Sequence, residues 1–109
     1  MKMMFDFEKF SELNAKRCDE VFHKLEDWSY SDWGNAMAGE CGEACNKIKK
    51  LRRGEEIDKK DIAEEVADVV GYADLLCTRL GYSLSDLVKE MGRWKNISIN
   101  PLKLIHKTQ

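Results

Sequence analysis

Five carboxylates fall in two short clusters, Glu40-Cys41-Gly42-Glu43 and Glu64-Glu65-Val66-Ala67-Asp68. Glu40 and Glu43, and likewise Glu65 and Asp68, stand three residues apart, which on a helix puts each pair on one face. The surroundings are apolar: Ala36, Met37 and Ala38 precede the first cluster, and Val66, Ala67, Val69 and Val70 lie within or after the second. Like charges repel there. At an effective dielectric of ~20, each contact at ~4 Å costs on the order of 4 kcal/mol. A hard divalent cation with oxygen ligands, Mg²⁺ or Mn²⁺, is the simplest way to offset that repulsion.

Glu40, Glu43, Lys47 and Lys50 share one helical stripe, and Glu65, Asp68 and Tyr72 share another. Acids that hold Mg²⁺ beside lysines suit a polyphosphate, whose oxygens the metal bridges while the lysines neutralise the remainder. Water polarised by a carboxylate or by the metal then attacks phosphorus. Glu64 fits either an outer ligand or base, or a group that only faces water. Glu55, Glu56, Asp58 and Asp61 read as solvated helix-surface acids.

These clusters need helices to position them, and the chain supplies four by periodicity, with no strand alternation. The first is expected from Asp6 to Asp27. The second follows Trp28–Trp33 with Ser31 as its cap, carries Met37, Cys41, Ala44, Cys45, Ile48 and Leu51 as its apolar stripe, and stops near Gly54. The third runs from the 54–58 link to Gly81, apolar over most of its circumference, and a fourth starts at Ser83. A short link makes helices two and three antiparallel neighbours, so their acids can converge. Gly39 and Gly42, beside the first cluster, leave room for a close approach by a partner helix or a ligand. The tail from 97 to 109 holds the single proline and is expected to be extended.

Residues 1–109 read as one all-α domain. A net charge of −2 gives no bulk attraction for a nucleic-acid polymer. No apolar run is long enough to cross a bilayer, so a cytoplasmic, membrane-free protein is expected. Four cysteines without a C-x-x-C pair read as free thiols in a reducing compartment, with Cys41 and Cys45 buried. Glu20 and His23 form one Glu-x-x-His pair, half of what a di-iron bundle requires.

The stretch from Trp33 through Gly39-Glu40-Cys41-Gly42-Glu43-Ala44 to Ile48-Lys49-Lys50, followed by Asp61-Ile62-Ala63-Glu64-Glu65-Val66-Ala67-Asp68-Val69-Val70, closely resembles the MazG-like all-α nucleoside triphosphate pyrophosphatases. Their signature is E-x-x-E on one helix and E-x-x-D on the next, and the likeness covers about residues 28 to 90. It is closest to the small single-domain phage and bacterial forms. The resemblance implies a four-helix bundle completed by homodimer or homotetramer assembly. It also implies Mg²⁺-dependent cleavage of a (deoxy)nucleoside triphosphate to monophosphate and pyrophosphate.

By position, Glu40, Glu43, Glu65 and Asp68 would be the metal ligands, and Tyr72 would lie near the nucleotide. Trp28 and Trp33 fall where relatives place base-contacting aromatics, or else they pack in the core or an interface. Lys47, Lys50 and Arg53 are candidates for phosphate oxygens. The chain departs from the pattern after Lys89, where Gly92 and Arg93 follow one turn on, and Arg93, Lys95 and Asn96 are the candidate substitutes. That departure keeps open a second expectation, a non-catalytic binding or regulatory module that retains the fold and the metal site.

Overall fold

The computed structural model describes residues 6–91. They form α1 (Phe7–Arg17), α2 (Tyr30–Arg52), α3 (Lys59–Arg79) and α4 (Leu84–Glu90), with no strand among the described residues. The expected all-α class is present. The tail at 97–109, together with Arg93, Lys95 and Asn96, lies outside the described residues.

The first helix is shorter than its periodicity predicts. It begins at Asp6, whose carboxylate accepts from the Lys9 amide, and α-geometry stops at Arg17. A π-turn over Cys18–Phe22 follows, closed by the His23 amide donating to the Cys18 carbonyl at 2.8 Å. His23 itself is extended (φ −162°, ψ 170°), and its ring packs against Phe22 and Trp28 at centroid distances of 4.2 and 4.4 Å, with those two in edge contact at 5.5 Å. The aromatic stack thus replaces further helical turns. A 3₁₀ turn at Leu25–Asp27 then leads to α2.

The cap of α2 is Ser29, two residues before the expected Ser31. Its hydroxyl accepts from the Asp32 amide and the Asp32 carboxylate accepts in return from the Ser29 amide, a closed capping box. At the other end Gly54 takes φ +89°, a left-handed conformation that lets the Glu55 amide reach the Lys50 carbonyl. Gly81, at φ +88°, ends α3 in the same way, with the Tyr82 amide on the Cys77 carbonyl. Ser83 caps α4 as expected.

The α2–α3 hairpin carries the fold, and α1 lies against α3. Trp33, 0% exposed, anchors the core with Cys18 and Leu75, and Leu25, Trp28, Tyr72 and Leu76 pack around them. Its indole Nε1 donates to the Leu25 carbonyl at 3.0 Å, which ties the 3₁₀ turn to the hairpin. The docking of α1 uses polar groups. Asp74 is 0% exposed and accepts from the Ser11 hydroxyl at 2.7 Å and the Asn14 amide at 3.0 Å, while Asn14 also donates to the Gly71 carbonyl.

Cys41 and Cys45 are exposed, against the expectation that they line the core. The inward stripe of α2 is instead Trp33, Met37, Glu40, Ala44, Lys47 and Leu51, all buried or half-buried. Cys41, Cys45 and Ile48 stand one position further round the helix and face outward. All four cysteines are free.

Candidate metal and nucleotide site

Because Glu40 and Lys47 lie on the inward stripe of α2, they meet Glu65, which holds the matching position on α3. One carboxylate oxygen from each of Glu40, Glu43 and Glu65 lies within 4.8 Å of the others. Lys47 Nζ donates to Glu65 Oε1 at 2.9 Å, while the second oxygen, Oε2, is buried and no N–H or hydroxyl donor reaches it. Glu65 is 14% exposed at its side chain, so water screens it poorly.

The electrostatics follow from this crowding. The Glu40 carboxyl is pushed up to about 7, first by a hydrogen bond with Glu65, then by burial and by the charges of Glu65, Glu43 and Asp68. Glu65 moves the other way, held below the usual carboxylate range by Lys47 first and by Glu40 next. Lys47 is raised in turn by Glu65. Glu40 is therefore partly protonated near neutral pH, which relieves part of the repulsion in the cluster.

Asp68 stands one turn beyond Glu65 and is exposed. It is outside the group of three, but its charge reaches both Glu40 and Tyr72. With Glu40 and Tyr72 it lines a cleft of about 490 Å³ whose far wall is Phe10, Asn14, Arg17, Cys18 and Phe22. Burial, followed by the Glu40 and Asp68 charges, raises the Tyr72 phenol above its usual range.

The other predicted residues divide clearly. Glu64 points away from the cluster, exposed and 4.0 Å from Lys60, four residues back on its own helix. Trp33 is enclosed by the core, which is the packing alternative of its two expected roles. Trp28 is half-buried against Trp33 at 4.6 Å, and its carbonyl accepts from Arg79 Nε. Lys50 is half-buried in the last turns of α2, and Arg53 pairs with Glu55 at 2.8 Å. Glu20 lies 4.0 Å from Lys16 and His23 Nδ1 lies 2.8 Å from the Lys24 carbonyl, so the Glu-x-x-His pair is engaged elsewhere.

The sequence reading missed the contribution of α1, whose Phe10, Asn14 and Arg17 form the cleft wall. Their helical spacing was visible, but the face that α1 turns to α3 is set by Asp74. The signal for it was a lone acid among Ala73, Leu75 and Leu76, too polar for that run unless a donor meets it.

The donor set fits a hard cation: carboxylate oxygens only, close enough to share one ion, with a spare buried oxygen on Glu65. Comparison of the chain with protein-family models, with curated proteins and with solved structures finds no match.

Proposed function

We propose that the protein is a divalent-cation-dependent nucleoside triphosphate pyrophosphohydrolase, releasing a monophosphate and pyrophosphate. The observation that carries this reading is the convergence of Glu40, Glu43 and Glu65 within 4.8 Å beside a cleft of about 490 Å³. That volume falls within the ~300–1,000 Å³ typical of small-molecule sites. The likeness of the two acidic motifs to the MazG-like pyrophosphatases directs the reading to the bond between the α and β phosphates.

Glu40, Glu43, Glu65 and Asp68 would hold Mg²⁺, or Mn²⁺ in its place. When bound, the ion supplies positive charge to the phosphate oxygens as bond cleavage develops. Lys47 and Lys50 add charge from the same helix as Glu40 and Glu43. Tyr72 and the α1 wall of the cleft receive the nucleoside. A carboxylate that is not engaged by the cation takes the proton from the attacking water. Val66 (51% exposed) and Ile48 (49% exposed) supply apolar surface for assembly as a homodimer or homotetramer.

The test is incubation with a panel of ribo- and deoxynucleoside triphosphates and Mg²⁺. Pyrophosphate and monophosphate are the expected products. Orthophosphate release rejects cleavage at the α–β bond. Mg²⁺ binding without turnover of any nucleotide supports the non-catalytic module instead.

A further inference from the structure

Lys47 holds a position that the function above does not explain. A lysine meant only for phosphates would stand free at the mouth of the cleft. This one is bound to an acid of the cluster, Nζ to Glu65 Oε1 at 2.9 Å, bridging α2 and α3. Two exposed pairs, Lys60 with Glu64 and Lys16 with Glu20, are looser at 4.0 Å and join residues only four apart in the chain. The Lys47–Glu65 pair is less exposed, at 33% and 14% of the two side chains, so solvent weakens it less.

An ammonium group and a metal ion compete for the charge of the same carboxylate. A lysine is a compact charge on a flexible four-carbon stem, able to swing away when a stronger cation arrives. Once released it remains on the inward stripe of α2, one turn beyond Glu43. Incoming phosphates would offer it the next anionic partner.

We propose that Lys47 is the internal counter-ion of the acidic cluster, displaced from Glu65 by the divalent cation and transferred to the phosphates of the substrate. This inference rests on the metal reading of the preceding subsection. The arrangement lowers the affinity for metal alone and couples metal binding to polyphosphate binding, because the anion gives the displaced ammonium a partner. A purely structural bridge has the opposite sign: its loss would loosen the hairpin and weaken metal binding.

The test is calorimetric titration of the full chain with Mg²⁺ in the absence of nucleotide, for wild type, Lys47→Gln and Lys47→Arg. Lys47→Gln is expected to bind Mg²⁺ at least about fivefold more tightly, and Lys47→Arg to stay within about twofold of wild type because it still competes. A non-hydrolysable nucleotide should increase Mg²⁺ affinity in wild type and much less in Lys47→Gln. Equal or weaker binding by Lys47→Gln overturns the counter-ion role and leaves the metal site standing. No Mg²⁺ uptake by wild type or either variant overturns both.

Discussion

Proton release on metal binding is the sharpest consequence of the metal reading proposed for the cluster. In the metal-free protein the Glu40 carboxyl titrates at about 7, because it shares a hydrogen bond with Glu65 and faces Glu43 and Asp68. A metal ligand must be deprotonated, so under the proposed metal reading cation and proton would compete for Glu40. With that value, apparent Mg²⁺ affinity should fall about tenfold between pH 8 and pH 6, and about 0.9 proton should leave per ion bound at pH 6. A carboxylate with an ordinary value near ~4.3 would give almost no change across the same range. Titration calorimetry in two buffers of different ionisation enthalpy measures both quantities. Glu40→Gln should bind more weakly and lose the pH dependence.

The same shift has a sign for stability. A carboxyl whose value is raised on folding contributes stability fully below its unfolded value, and that contribution is lost as pH rises through about 7. The metal-free melting temperature should therefore drop from pH 5 to pH 8, less so in Glu40→Gln. Flat metal affinity and no proton release at pH 6 would refute the crowding argument.

Asp74→Ala leaves the Ser11 and Asn14 donors without their buried acceptor and should destabilise the chain by about 3 kcal/mol in urea denaturation. A loss below about 1 kcal/mol would mean that α1 docks by other means. Gly39→Ala should raise stability by about 0.5–1 kcal/mol, because an added Cβ meets no atom of the chain within 4 Å and the helix gains propensity. If the same change lowers the oligomer mass seen by light scattering, the glycine is reserved for a partner's approach.

The hairpin and its acids were legible in the sequence because helix periodicity, the glycine stops and the acid spacing are all local. Face assignment on α2 was not. Cys41, Cys45 and Ile48 are the more hydrophobic row, yet the row that turns inward carries Glu40 and Lys47 between Trp33, Ala44 and Leu51. Periodicity ranks rows by hydrophobicity, and here a polar cluster shares the inward row with a tryptophan anchor. On α3 the spacing already set Glu65 apart from Glu64, on the stripe with Asp68 and Tyr72, and in the structure Glu65 meets Lys47 while Glu64 meets Lys60. The first helix was overextended because its apolar spacing continues past Arg17, while the stack of His23 on Trp28 depends on residues beyond the helix.

The two halves of the cleft differ in how far along the chain their tethers reach. Lys47 and Glu65 are 18 positions apart, whereas Ser11 and Asp74 are 63 apart. Short loops close sooner than long ones. The shorter closure is expected to bring the anionic wall of α2 and α3 together first, and the opposing wall later, with the amino-terminal helix. Until that helix lands, the acidic half stands open on the side that Phe10, Asn14 and Arg17 later close.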